Sequence, residues 1–323
     1  MRTPNGKWTT HNIPDQNGRV AIITGANSGI GFYTAKALAA RGASVILAVR
    51  DTQKGKAAAE EIRLHSPKAR LDILPLDLAE LDTVWNFAAA FHSRYNRLDL
   101  LINNAGVMGI PYRTTADGFE MTFGVNHLGH FALTGLLLDS LINTTGARVI
   151  TVSSGMHRIA KATAAEMVAP GKHQKWQAYA NSKLANLLFA HELQRRFETY
   201  APDTISLAAH PGYAATNLQA AGPAMEGSQL TVWLMKVANQ LFAQSAEMGA
   251  LPILFAATAD GVHGGDYLGP ENEARGYPVK TKSSPASYNP NLALQLWDES
   301  VRLTGITYDS IARRQVQPLA QSA

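Results

Sequence analysis

The 323-residue sequence contains no cysteine. This absence excludes disulfide bonds, thiolate zinc sites, iron-sulfur clusters and a cysteine nucleophile. Long apolar runs are also missing, because the most apolar stretch, residues 131–142, is too short to cross a membrane and is interrupted by Thr134, Gly135 and Asp139. Neither sign of charge dominates: the formal net charge is +4, with basic and acidic residues interspersed. Binding to nucleic acid is therefore not expected.

Residues 1–17 are polar, contain Pro4 and Pro14, and have no apolar core. They are predicted to form an N-terminal extension, and neither a signal peptide nor a membrane anchor is expected. The composition, 46% hydrophobic and 17% charged, is typical of a globular protein with a sizeable core. No linker divides residues 18–323, so we predict one catalytic domain in a cytoplasmic protein.

Apolar runs rich in β-branched residues alternate with helical patterns along the chain. Strands are predicted at residues 19–24, 44–49, 71–74, 99–102, 148–152 and 204–208, with a seventh near 266–268. Because these runs are continuously apolar, they indicate an α/β fold: a doubly wound parallel sheet of about seven strands with helices on both faces. The prolines in the segment of about 270–323 indicate irregular structure, and a helix is predicted to follow near 292–303.

Three glycines, Gly25, Gly29 and Gly31, lie between the first strand and the first helix, in the string TGANSGIG. A glycine-rich turn alone is often only a turn. Here, however, the preceding strand and the following helix place free N–H groups and a positive dipole end beside the glycines. This arrangement is typical of a dinucleotide-binding Rossmann fold, in which the backbone approaches a pyrophosphate.

Tyr179 and Lys183 lie four residues apart in a helical stretch, so both side chains share one helix face. A solvent-facing pair is the alternative, since this spacing often occurs by chance. A nearby ammonium group is expected to lower the pKa of a phenol and so to make it an effective acid and base. Ser153 ends the fifth predicted strand, where its hydroxyl could donate to a substrate oxygen, and Asn126 lies in the preceding helix.

These patterns resemble the short-chain dehydrogenase/reductase family, and longer strings resemble its retinol dehydrogenase-like branch. The resemblance covers about residues 18–220 and rests on the following strings: TGANSGIG, NNAG at 103–106, TADGFE at 115–120, GVNHLGHF at 124–131, YANSK at 179–183, SKLAN at 182–186, and Pro211-Gly212 followed by Thr216. It implies an enzyme that moves a hydride between a nicotinamide and a carbonyl or alcohol. The absence of cysteine counts against the protochlorophyllide reductases, which share much of this pattern.

The resemblance also implies the site residues. Tyr179 would be the proton donor or acceptor, Lys183 would lower its pKa and hold the nicotinamide ribose, Ser153 would orient the substrate oxygen, and Asn126 would hold a water. The implied cofactor-binding residues are Gly25, Asn27, Ser28, Gly29, Ile30, Gly31, Arg50, Asp77, Leu78, Asn103, Ala105, Gly106, Tyr179, Lys183, Pro211, Gly212 and Thr216. No metal is needed for this chemistry.

Arg50 follows the second strand at the place where an arginine accommodates the 2′-phosphate of NADP, whereas an acid there would favour NAD. We therefore expect NADP(H). Asp51 is better interpreted as a cap of the next helix. Asp77 resembles the aspartate that binds the adenine amino group in the family, although a helix cap is an equally physical interpretation.

The segment of about 213–242 contains Met, Trp and Phe residues, which suit a cover over a lipophilic substrate or, alternatively, ordinary helix packing. His127 and His130 are interpreted as packing or hydrogen-bonding residues rather than metal ligands. The alternative function is a regulatory protein that binds NADP(H) without turnover. The partners expected are a small carbonyl or alcohol substrate and, by analogy with the family, another copy of the chain.

Overall fold

The computed structural model describes residues 6–161, 163–168, 173–214 and 244–313. Within these residues the chain forms one eight-stranded sheet in the order β3-β2-β1-β4-β5-β6-β7-β8. The first seven strands run parallel, and β8 is antiparallel to β7. The strands are β1 (Val20–Thr24), β2 (Ser44–Val49), β3 (Arg70–Pro75), β4 (Leu100–Asn103), β5 (Arg148–Val152), β6 (Ile205–Ala209), β7 (Tyr267–Pro270) and β8 (Pro278–Thr281).

Helices connect the parallel strands. In chain order they are α1 (Gly29–Ala40), α2 (Thr52–His65), α3 (Leu81–His92), α4 (Met121–Phe123, a π-helical turn Gly124–Leu128, then Gly129–Leu136), α5 (Leu138–Ile142), α6 (Ala164–Val168), α7 (Lys175–Tyr200), α8 (Ala246–Thr258), α9 (Pro290–Thr304) and α10 (Asp309–Arg313). None of the helices in the described part of the chain is long and apolar enough to cross a membrane.

Both faces of the sheet are buried. Along β1, Ala21 and Ile23 belong to the core that α1 and α8 cover, whereas Val20 and Ile22 belong to the core on the opposite face, beneath α3, α4 and α7. A strand with two buried faces needs apolar residues at every position, which explains the continuous runs in the sequence. The predicted doubly wound α/β fold is confirmed.

The sheet has one more strand than predicted. The segment predicted to be irregular after residue 270 contains β8, and the predicted helix near 292–303 is observed as α9. In β8, Val279 and Lys280 are exposed and Pro278 opens the strand. A short edge strand of this composition has no buried apolar run to reveal it.

The N-terminal extension packs against the domain. Ile13 is buried, and Trp8 meets Phe255 of α8 edge to face, with ring centroids 5.3 Å apart. The guanidinium of Arg41 donates to the carbonyl oxygen of His11 at 2.7 Å. These contacts lie at the carboxyl-terminal ends of α1 and α8, away from the carboxyl ends of the strands described next.

Candidate active site

A cleft of about 240 Å³ opens at the carboxyl ends of the parallel strands. The sheet order changes direction between β1 and β4, and ligands of doubly wound folds bind at such a switch point. The cleft is lined by Gly25, Asn27, Ser28, Gly29, Ile30, Gly31, Asn104, Ala105, Gly106, Val152, Ser153, Tyr179, Lys183 and Pro211. The predicted glycine turn and the predicted Tyr–Lys pair therefore face the same space.

The glycine turn is shaped by close backbone approaches. Gly25 and Gly29 have φ of +67° and +55°, which favour glycine. A Cβ on Gly31 would lie 2.5 Å from the Gly25 carbonyl oxygen and 2.7 Å from Nδ2 of Asn104. The Ser28 side chain does not cap α1, and the first residues of the helix, Gly29 to Gly31, line the cleft. This cradle suits the pyrophosphate of a dinucleotide.

Replacing Gly31 with alanine is expected to weaken NADPH binding at least about tenfold, because the new methyl group must push the turn apart. Titration of NADPH fluorescence against the purified variants measures this. Gly155→Ala is the matched control, since a Cβ on Gly155 meets nothing within 4 Å. Equal affinity in Gly31→Ala and the wild type would contradict a cofactor at this turn.

Arg50 and Asp77 face each other just beyond the carboxyl ends of β2 and β3, and neither belongs to the residues that line the cleft. The Arg50 side chain is 77% exposed, and its Nη1 lies 4.0 Å from Oδ2 of Asp77. Asp51 caps α2, as its side chain accepts from the backbone N–H of Lys54 at 3.1 Å. Asp77 serves partly as a turn cap, with Oδ1 accepting from Ala79 N at 3.0 Å. Only Oδ2 of Asp77 is directed toward Arg50.

The NNAG string departs from the prediction in one residue. Asn103 points away from the cleft: it is buried, and its Nδ2 donates to Oγ1 of Thr134 at 3.0 Å. Asn104 instead lines the cleft and donates from Nδ2 to the carbonyl oxygen of Thr24 at 2.8 Å. The structure therefore replaces Asn103 by Asn104 as the side chain at the cofactor cleft. Leu78 is also buried and does not line the cleft.

Asn126 lies in the π-helical turn of α4 and is completely buried. Its Oδ1 accepts from Val107 N at 2.7 Å, while its Nδ2 donates to Val107 O at 3.0 Å and to Oγ of Ser182 at 2.9 Å. All hydrogen-bonding hydrogens of the amide are thus used by protein groups. Asn126 thereby fixes the loop after β4 to the helix α7, and its expected role in holding a water stays a prediction.

Tyr179 and Lys183 lie on α7 and are 5% and 3% exposed. Burial raises the pKa of Tyr179 to about 12, and the Ser154 side chain opposes this by hydrogen bonding. Burial lowers the pKa of Lys183 to about 8. The Lys183 Nζ donates to the carbonyl oxygen of Val152 at 3.0 Å and lies 5.7 Å from the phenol ring centroid. The predicted net lowering of the Tyr179 pKa is absent, because burial outweighs the neighbouring groups.

The two serines after β5 have different partners. Ser153 is buried and donates from Oγ to the carbonyl oxygen of Lys183 at 2.8 Å. Ser154 is half-buried, interacts with the Tyr179 phenol, and borders a second cavity of about 260 Å³. The structure therefore replaces Ser153 by Ser154 as the serine placed to orient a substrate oxygen. The sequence offered no signal to separate the two neighbours.

The loop after β6 closes the cleft on its other side. Pro211 lines the cleft. Gly212 has a φ of +67°, and a Cβ on it would lie only 2.4 Å from the Ala274 carbonyl oxygen, so no side chain fits there. Tyr213 borders the second cavity. Thr216 and the remainder of the predicted covering segment, from residue 215 to residue 242, lie outside the described residues.

The two histidines of α4 have separate partners. Nε2 of His127 lies 2.9 Å from Oγ of Ser300, and Nε2 of His130 lies 2.9 Å from Oγ1 of Thr24. Burial lowers their pKa values to about 3 and about 4, so both rings are neutral near pH 7. In the described parts of the chain, no three His, Cys, Asp or Glu residues are grouped as metal ligands.

Comparison with known proteins places this geometry in context. A model described as short chain dehydrogenase matches residues 19–227. The chain is 40% identical to human retinol dehydrogenase 12, over 90% of this chain and 88% of that protein. It is 39% identical to mouse polyprenol dehydrogenase, over 94% of this chain and 89% of that protein.

Solved structures show the same fold. A crystal structure of an uncharacterised protein from Mycobacterium paratuberculosis has a TM-score of 0.77 and 39% identity, and the match covers 94% of this chain and 99% of that one. A short chain dehydrogenase from Shigella flexneri complexed with NADP has a TM-score of 0.60 and 22% identity, covering 80% and 99% of the two chains.

Proposed function

This chain belongs to the short-chain dehydrogenase/reductase family, in its retinol dehydrogenase-like branch, and from that premise we propose an NADP(H)-dependent oxidoreductase acting on the carbonyl or alcohol group of a lipophilic small molecule. The observation that carries the proposal is the position of Tyr179, Ser154 and Lys183. Tyr179 and Lys183 line one end of the glycine-lined cleft, and the Ser154 side chain, which borders the second cavity, interacts with the Tyr179 phenol. A nicotinamide and a substrate oxygen would come together at this phenol.

Each of the three side chains would have a separate role in the reaction. Ser154 would donate a hydrogen bond to the substrate oxygen, and Tyr179 would give it a proton during reduction, since its raised pKa keeps the phenol protonated at neutral pH. Lys183 would bind the nicotinamide ribose with its ammonium group. The bound nicotinamide would supply or accept the hydride. In alcohol oxidation the same phenol oxygen would receive the proton.

Two observations support the finer parts of the proposal. Arg50 presents an exposed guanidinium beside Asp77, where it could bind a 2′-phosphate without breaking a strong ion pair, since an exposed contact of 4.0 Å contributes little. Relatives named for retinol and polyprenol support a lipophilic alcohol or aldehyde as substrate. The cytoplasmic location and the association into a homo-oligomer stay predictions.

The test follows NADPH absorbance with purified protein and a panel of aldehydes and ketones, including retinal, aromatic ketones and quinones. NADH is measured in parallel. Turnover that prefers NADPH would support the proposal. If NADPH bound tightly and no compound in either direction were turned over, the regulatory alternative would gain support. Failure to bind either nucleotide would overturn the proposal itself.

Arg50→Ala is expected to raise the KM for NADPH by about tenfold or more and to leave the KM for NADH nearly unchanged. The reason is that a hydrogen bond to a charged phosphate contributes about 1.5–3 kcal/mol. Lys56→Ala, which removes an exposed cation from the adjoining helix α2, is the matched control. If the KM values for NADPH and NADH rose equally, Arg50 would not be binding the 2′-phosphate.

A further inference from the structure

Trp176 lies on α7 three residues before Tyr179, and it is 43% exposed. Residues three apart on a helix lie on the same face, with Cβ atoms about 5–6 Å apart. The indole therefore lies on the same helix face as the phenol, beside the loop whose Gly106 lines the cleft. Neither Trp176 nor Trp85, the other strongly exposed tryptophan of the described residues, lines the cleft itself, and Trp85 lies on α3 rather than on the catalytic helix.

The indole rests on Gly109 in the loop after β4. A Cβ on Gly109 would lie 3.0 Å from Cη2 of Trp176 and 3.3 Å from Cζ2, and Gly109 has a φ of +61°. Only glycine lets the ring approach the backbone this closely. One face of the indole is thus supported by the loop, which leaves the exposed remainder for another molecule.

The supporting loop is fixed at both ends. Asn126 holds Val107 with two hydrogen bonds, of 2.7 and 3.0 Å. At the other end Ile110 is buried, and the ring of Tyr112 meets that of His173 at a centroid distance of 5.4 Å. The indole is therefore held on a rigid base that is tied to the catalytic helix, and rigid aromatic surfaces bind apolar groups with little loss of entropy.

We propose that Trp176, seated on Gly109, is the specificity-determining residue of the substrate pocket. It binds the conjugated or ring-bearing part of a substrate whose oxygen lies at Tyr179 and Ser154. The inference rests on the proposed function and narrows it to carbonyl compounds and alcohols with a flat apolar body next to the reacting carbon. Small aliphatic compounds do not reach the indole, so contact with it does not strengthen their binding.

The experiment compares 2-naphthaldehyde with butanal as substrates of the wild type, Trp176→Ala, Trp176→Phe and the control Trp85→Ala. Trp176→Ala is expected to lower kcat/KM for 2-naphthaldehyde about tenfold or more, mainly through KM, and to change kcat/KM for butanal less than about twofold. Trp176→Phe should restore most of the loss. Gly109→Ala, which displaces the indole, should lower the ratio of kcat/KM for 2-naphthaldehyde to kcat/KM for butanal.

A binding measurement separates this inference from the proposed function. Intrinsic tryptophan fluorescence should be quenched by 2-naphthalenemethanol in the wild type and in Trp85→Phe, and much less in Trp176→Phe. This readout needs no turnover, so it tests the pocket even if the reaction assay fails. Equal quenching in the two phenylalanine variants, or equal loss of kcat/KM for both aldehydes in Trp176→Ala, would overturn the inference.

Discussion

Tyr179→Phe should retain NADPH binding and lose turnover by about a thousandfold or more. General acid and base catalysis by one positioned group contributes about 10²–10⁴ in rate, and among the described residues no other phenol lines the cleft. The phenyl ring occupies nearly the same buried volume, so the fold and the glycine turn should be unaffected. Steady-state kcat and an NADPH titration of the same preparation measure the two effects separately.

Tyr95→Phe is the matched control for this loss. Tyr95 also has a hydrogen-bonded hydroxyl, which donates to Asp72 at 2.6 Å, but it lies at the end of α3, far from the cleft. Its removal should cost some thermal stability and no activity. Substantial turnover in Tyr179→Phe, with Tyr95→Phe equally active, would contradict the proton-transfer role.

The pKa of this tyrosine differs from the sequence-based expectation because of burial. Spacing alone places Lys183 near the phenol, and a charged amine nearby lowers a phenol pKa. Spacing does not report burial, which acts on both groups: it raises the pKa of Tyr179 and lowers that of Lys183. The neutral phenol is ready to donate a proton, as carbonyl reduction requires.

The parts of the fold with two buried faces were predictable. The runs in β2 and β5 have the bounds that the sequence predicts, because strands buried on both faces are largely apolar and the turns that end them are polar. The turn formed by the glycines at 25, 29 and 31 was predictable, because backbone geometry at a phosphate turn allows no Cβ. The edge strand β8 lacks any such constraint, and the prediction missed it.

Two site assignments move to an identical neighbouring residue in the structure, and both changes have the same origin. Asn103 and Asn104 form a pair of identical residues at the end of β4, and Ser153 and Ser154 form another at the end of β5. Successive side chains at the end of a strand point in opposite directions, so the two members of each pair have different partners. Chemical type cannot choose between identical neighbours, whereas the hydrogen bonds to Thr134 and to Lys183 do.

The serine pair gives the second large expected effect. Ser154→Ala should lower kcat about a hundredfold or more, because it removes the hydroxyl that interacts with Tyr179 and would donate to the substrate oxygen. Ser153→Ala should lower kcat far less and act mainly on stability, by about 1 kcal/mol, since it removes a buried hydrogen bond to the Lys183 carbonyl.

Each serine is thus the control for the other, as the two substitutions remove the same atom from adjacent positions. Kinetics with NADPH and thermal unfolding of both variants provide the comparison. The Ser153 hydroxyl ties α7 to the end of β5 at Lys183, so a shift in its melting temperature without a large fall in kcat is the expected pattern. The reverse pattern, with Ser153→Ala inactive yet fully stable and Ser154→Ala active, would return the catalytic role to the serine that the sequence first suggested.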